Sequence, residues 1–247
     1  MDTPKQWDDF AATYAAVQRE STLPIETDVA AALDQQFPLA QLTVADIAAG
    51  SGRYSLPLAQ HAKHVLLVDW SKQMLAAAKA WLDPHQLDNV AYQQQDWLQL
   101  PAKPLADLVF VSQLPTLKAS ELLLLERLAT HAVAINSQSQ QHDHLQAIAA
   151  AKMGWPLPLS YQADPKRTVA YQRLLTAHHR HWQRQVFTYH RQQLTTTTEL
   201  LQSFARPFGL KQATQLAQAL GAETAQAPIP TTITYRFELL TWPVFQA

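Results

Sequence analysis

Between residues 42 and 137 short aliphatic runs alternate with amphipathic segments, and this alternation leaves the chain very few folds. LTVADI at 42–47, HVLLVD at 64–69, NVAYQQQD at 89–96, ADLVFVS at 106–112 and HAVAINS at 131–137 have the length and aliphatic content of buried strands. YSLPLAQHA, SKQMLAAAKAWL and, at 119–129, ASELLLLERLA have helical spacing, and Ser71 stands where a helix cap belongs. Strands separated by helices pair in parallel through right-handed crossovers, so an α/β sheet with helices packed on it is predicted.

On either side the pattern loosens. Trp7, Phe10, Ala11, Tyr14 and Val17 recur at three- and four-residue steps, which predicts a helix with these side chains on one face. Pro24 interrupts it, and IETDVAAALDQQF resumes helical. Past residue 140, HDHLQAIAAAKM and PKRTVAYQRLLTAHHR read as helices about a Pro-rich joint, RQVFTYHRQQL at 184–194 as a strand, TTTELLQSFARPF and LKQATQLAQALG as helices, and TTITYRFELLTWPVF as a closing strand. No repeat or low-complexity linker divides the 247 residues, so one domain is expected.

Charge and composition narrow the partners. Lys and Arg number 19 against 20 Asp and Glu, with no basic run, which argues against a phosphate-backbone ligand such as nucleic acid. The absence of cysteine removes disulfides, thiolate nucleophiles and Cys-based metal sites. MDTPKQWDDFAATY carries acids where a secretory leader needs a basic start and an apolar run, so a cytoplasmic protein is expected. The apolar stretch LLLL at 122–125 is far short of the ~20 residues of a membrane span.

Only five glycines occur, and two of them, Gly50 and Gly52, share the turn that follows the first strand. A glycine there supplies a positive φ or lets a ligand approach the backbone, and the helix N-terminus that follows makes the turn a cradle for a polar ligand. Asp46-Ile47-Ala48-Ala49-Gly50-Ser51-Gly52 resembles motif I of class I S-adenosylmethionine-dependent methyltransferases, an acid followed by glycines at alternate positions. Ala48 takes the first glycine place, which a negative φ would allow. Asp69 ends the second strand, Asp96-Trp97 is placed at the end of the third and Ser112 ends the fourth, where this family carries its ligand contacts.

The resemblance implies a Rossmann-like, doubly wound, mostly parallel seven-stranded sheet with helices on both faces and an N-terminal helical extension. Residues 1–36 would form a lid, 37–138 the cofactor core and 139–247 the acceptor side with the closing strands. It implies that the loop Ala48, Ala49, Gly50, Ser51 and Gly52 cradles S-adenosylmethionine. Asp69 would accept hydrogen bonds from both ribose hydroxyls, with Trp70 and Met74 beside it. Asp96 would meet the adenine amino group, Trp97 the ring, and Ser112 the methionine part. Tyr14 would reach over the ligand from the lid, although the same spacing also describes a buried aromatic stripe. Asp46 favours an ammonium group and repels a pyrophosphate.

Methyl transfer from a sulfonium is an in-line displacement that needs positioning and exclusion of water, so no metal and no covalent intermediate is expected, and no catalytic residue is assigned. S-adenosylhomocysteine is the implied product and a small molecule the implied acceptor. Gln113-Leu114-Pro115 lacks the leading acid or Asn and the aromatic of amino-directed DNA methyltransferases. Two rivals stand beside this reading. GSGRYS partly resembles the Gly-x-Gly-x-x-Gly fingerprint of an NAD-type oxidoreductase but lacks its third glycine, and a methyltransferase-like protein could bind the ligand without turnover. His178, His179 and His181 are read as solvated or partly buried side chains on a helix, pointing in different directions.

Overall fold

A computed structural model describes residues 3–158 and 160–244. Phe245, which the expected closing strand included, lies outside the described residues. The elements run α1 (Pro4–Glu20), α2 (Ile25–Gln36), β1 (Thr43–Ile47), α3 (Ser55–His61), β2 (His64–Asp69), α4 (Lys72–Leu82), β3 (Val90–Gln94), β4 (Ala106–Ser112), α5 (Leu122–Glu126), β5 (Ala129–Asp143), α6 (His144–Met153), α7 (Pro165–Ala177), β6 (Gln183–Thr195), α8 (Thr197–Gln202), α9 (Leu210–Ala219) and β7 (Ile229–Pro243). The seven strands form one sheet in the order β3-β2-β1-β4-β5-β7-β6. Pairs β1–β2, β1–β4, β2–β3 and β4–β5 are parallel.

The strand order reverses between β1 and β4. With right-handed crossovers this reversal puts α3 and α4 on one face and α5 on the other, and opens a crevice outside the carboxyl ends of β1 and β4. The glycine turn after β1 and Ser112 at the end of β4 both border that crevice.

The chain divides into two compact units. The first lies within Met1–Ser137, Lys166–Val186 and Glu238–Ala247. Its core is built from the sheet residues Ala45, Ile47, Val109, Val111, Val133 and Ile135, covered by Leu122, Leu125, Tyr171 and Leu175. The second unit, Gln138–Pro165 with Phe187–Phe237, has its own core around Leu145, Ala149, Leu200, Leu201, Ala213 and Leu216. Among the described residues no helix is long and apolar enough to cross a membrane.

One buried carboxylate of the first unit, Glu126, has a cationic partner. Glu126 of α5 accepts from Arg180 Nε and Nη2, both at 2.8 Å, and from Trp242 Nε1 at 2.9 Å, so one carboxylate joins α5, the turn after α7 and the last strand. Glu126→Ala leaves the indole N–H and a partly covered guanidinium without an acceptor, and is expected to cost about 3 kcal/mol, the low end for a broken buried pair because Arg180 keeps some water. For a chain of this size that is a drop of roughly 10 °C in Tm. Calorimetric melting checks it, and a fall of less than about 3 °C contradicts it.

Several boundaries depart from the sequence reading. The β5 strand starts at Ala129 and runs to Asp143, where a helix to 129 and a strand of 131–137 were expected. The polar tail SQSQQ continues the strand, with Ser139 Oγ donating to the Arg236 carbonyl of the second unit at 3.4 Å. Val17 is 57% exposed, while Ala11 and Ala15 are buried. At 100° per residue Val17 lies about 120° around the helix from Ala11, so it falls outside the buried stripe. His178, His179 and His181 are not on a helix: α7 ends at Ala177, and His179 has φ +55° in the turn beyond.

Candidate functional site

The turn after β1 is tightly wound. Ala49 N–H donates to the Val68 carbonyl at 3.1 Å and Gly52 N–H to the Ala49 carbonyl at 3.1 Å, which pins the turn to β2. Ala48, Gly50 and Gly52 have φ of +56°, +55° and +76°. The negative φ expected at Ala48 is therefore corrected: the alanine sits in the left-handed region, where an L-residue is strained by about 1–2 kcal/mol, because the loop path needs three left-handed steps.

The two glycines serve different ends. A Cβ on Gly50 would reach to 3.5 Å from Tyr14 Cε1, so this glycine borders a space roofed by the tyrosine ring. A Cβ on Gly52 would stand 2.9 Å from Ala78 Cβ and 3.0 Å from Leu82 Cδ1, so Gly52 is required by the close approach of α4. Gly52→Ala adds overpacking to a positive φ and is expected to destabilise by about 2–3 kcal/mol. Urea unfolding measures it, and a loss below ~0.5 kcal/mol would rule the account out.

Asp69 closes the site from the end of β2. Its Oδ2 accepts from Gly50 N–H at 2.9 Å and its Oδ1 from Ser71 N–H at 2.8 Å. Asp69 is 7% exposed, and burial pushes its pKa above the ordinary carboxylate range against the opposing pull of the Ser71, Gly50 and Trp70 N–H groups. A carboxylate has about four lone-pair sites, so acceptor capacity remains for a further donor. Ser71 caps α4, its Oγ accepting from Met74 N–H at 3.1 Å.

Beneath the turn Asp46 is 2% exposed and accepts a hydrogen bond from Ser55 Oγ. Burial raises its pKa to about 7, with the Asp69 charge adding to the rise and the Ser55 hydroxyl opposing it. Ser55 stands where a dinucleotide fingerprint has its third glycine, and its hydroxyl is taken by a buried carboxylate.

The N-terminal helix lies against this turn. Trp7, Phe10 and Tyr14 contact one another edge to face or tilted, with centroids 5.7–6.2 Å apart. The Tyr14 phenol is raised in pKa by burial, Arg53 opposing and Asp69 and Asp46 adding to it. Asp8 Oδ1 accepts from Ser71 Oγ at 2.6 Å and from Gln73 N–H at 3.0 Å, at the start of α4.

Where β4 ends, beside the middle of β5, Tyr54 and Asn136 join Ser112 in a polar cluster that was not foreseen. Asn136 Nδ2 donates to Tyr54 Oη and Ser112 Oγ, each at 3.0 Å, and Tyr54 is pushed up to about 12 by burial. Arg53 was missed as well. Its signal was available only as the residue after the second glycine.

Of the sequence-nominated residues, the structure brings Tyr14, Asp46, Ala48, Ala49, Gly50, Ser51, Gly52 and Asp69 to one end of β1 and β2. Ser112 borders the same crevice. Trp70 is half-buried, and Met74, at 1% exposure, is sealed into the packing of α4. Asp96 does not end the third strand: β3 stops at Gln94, and Asp96 caps a single 3-10 turn, accepting from Leu98 N–H at 3.0 Å. Trp97 packs on the core of the first unit.

Residues 44–150 match the sequence profile of the methyltransferase domain family. This segment is a methyltransferase domain. No functionally curated protein matches the chain by sequence. Among solved structures, YcgJ from Bacillus subtilis aligns with 13% identity and a TM-score of 0.57, over 91% of this chain and 100% of that one. A putative methyltransferase from Bacillus halodurans aligns at 13% and 0.57, over 89% and 100%. Magnesium protoporphyrin IX methyltransferase from Synechocystis PCC 6803, crystallised with S-adenosylhomocysteine, aligns at 18% and 0.52, over 88% and 81%. These superpositions show a shared fold.

Proposed function

We propose that the protein is an S-adenosylmethionine-dependent methyltransferase acting on a small-molecule acceptor in the cytoplasm, with residues 1–36 covering the cofactor, 37–138 holding it and the segment from 139 recognising the acceptor. The observation that carries this reading is the Asp69 carboxylate locked to Gly50 N–H at 2.9 Å. One group thereby ties the glycine turn to the end of β2 and keeps acceptor capacity for a ribose hydroxyl.

The residues present fit this cofactor. Gly50 leaves open the volume a Cβ would fill beneath Tyr14, and Arg53, the cation next to the turn, is directed to α1 and α2 and not to the place a pyrophosphate would take. Asp46 below the turn opposes a dinucleotide and supports an ammonium group. When bound, the cofactor supplies an electrophilic methyl on sulfonium. The protein's share is then to fix the ribose through Asp69, to hold the amino-acid end near Asp46 and Ser112, and to keep water out with Tyr14. A formal charge near zero suits a compact acceptor better than a polyanion.

Isothermal calorimetry of the whole chain with S-adenosylhomocysteine is the test, with NAD as the control ligand. Saturable binding of the former and none of the latter is expected. No binding at millimolar S-adenosylhomocysteine overturns the proposal, and turnover of methyl-labelled cofactor on a metabolite panel separates an enzyme from a passive binder.

A further inference from the structure

Arg53 is the residue through which the glycine turn holds the α1–α2 corner. Its Nε donates to Glu26 Oε2 at 2.9 Å, Nη1 to Gln18 Oε1 at 2.9 Å, and Nη2 to Ser21 Oγ at 3.1 Å and to the Leu23 carbonyl at 3.0 Å. The ion pair closes to 2.7 Å, with the two side chains only 18% and 25% exposed. All four partners come from the end of α1, the joint and the first turn of α2, a stretch of nine residues from Gln18 to Glu26.

Two other contacts place the same cover on the site. Tyr14 lies over Gly50, and Asp8 bonds the start of α4 two residues from Asp69. Neither of these grips the corner between α1 and α2. Arg53 does, and its backbone is continuous with Gly52, so a displacement of the turn carries four hydrogen bonds with it. A rigid planar fork directed at separate acceptors transmits such a shift, and a lysine ammonium on a flexible stem does not.

We infer that Arg53 is a positioning residue that couples occupancy of the glycine turn to closure of the α1–α2 cover. The ligand named in this coupling rests on the cofactor reading above. Linkage makes the effect reciprocal: a cover held closed tightens the ligand, and the ligand holds the cover. If the closed fraction falls to a tenth, apparent affinity falls tenfold.

The test uses the full chain with Arg53→Lys, Glu26→Gln and the double variant, reading calorimetric affinity for S-adenosylhomocysteine and hydrogen exchange of residues 4–20 with and without it. Arg53→Lys is expected to speed exchange of α1 at least tenfold in the free protein and to raise Kd about tenfold, with saturating ligand restoring protection. Glu26→Gln, which keeps a neutral acceptor, is expected to do less, and the double variant no more than Arg53→Lys alone. Unchanged α1 exchange in Arg53→Lys overturns the latch. Faster exchange with Kd within twofold of the unaltered protein shows a tie without coupling and overturns the inference too. Failure of the unaltered protein to bind S-adenosylhomocysteine overturns the cofactor reading itself, and is told apart because no variant is involved. Near-ultraviolet circular dichroism confirms folding, and Glu26→Gln carries the test should Arg53→Lys misfold.

Discussion

Replacing Asp69 with alanine is expected to weaken S-adenosylhomocysteine binding about a hundredfold. The carboxylate shapes the turn through Gly50 and Ser71 N–H and keeps acceptor capacity beyond them. A hydrogen bond to a charged group contributes about 1.5–3 kcal/mol, so one to a ribose hydroxyl amounts to roughly one to two decades in Kd. The N–H groups of Gly50 and Ser71 also lose their acceptor, which loosens the cradle. Asp69→Asn is expected to fall between, since its amide nitrogen would face one of the two N–H donors it replaces. Calorimetry decides: a Kd for the alanine variant within threefold of the unaltered protein means that Asp69 is only a structural cap.

Asp46→Asn is expected to stabilise the ligand-free protein at pH 8 while weakening ligand binding. The sign follows from the raised pKa, about 7 in the folded state against an ordinary 3.8. Between those values the native protein holds a proton that the unfolded chain releases, so stability from this group is greatest below pH 4 and is lost as pH rises towards 7. Three pKa units correspond to about 4 kcal/mol at most, and the asparagine recovers part of it, about 1–2 kcal/mol at pH 8, while still accepting from Ser55 Oγ. Urea unfolding at pH 5 and pH 8 measures the difference between the two proteins, in which all other titrations cancel. Equal gaps at both pH values exclude a buried titrating acid at this position. The expected loss of affinity follows from removing negative charge where the proposed ligand would place its ammonium group, and it would link a stability cost to function.

Much of the cofactor half was legible from residues. HVLLVD and ADLVFVS are strands over the bounds expected for them, because continuous aliphatic runs between polar punctuation leave no other buried arrangement. Ser71 caps α4 as its position required. The C-terminal strands were recognised but not their reach: the polar SQSQQHD run belongs to β5, and no periodicity marks a strand whose side chains are hydroxyls and amides. Asp96 was expected to end the third strand and instead caps the 3-10 turn beyond it, since an acid after an aliphatic run serves equally as a strand end or as a cap for the next turn, and composition does not distinguish them.

By itself, the order of apolar runs and turn residues determined a parallel α/β sheet with a glycine turn after its first strand, because hydrophobic period and crossover handedness are local properties of the chain, while the reversal of strand order was implied only by the family resemblance. Which groups meet at the reversal was decided only by folding. Arg53 finds partners about 30 residues away, Asn136 joins Tyr54 across 82, and Ala48 accepts a left-handed backbone because the loop must return to β2. Such choices depend on distances between elements, and a linear pattern carries no distance.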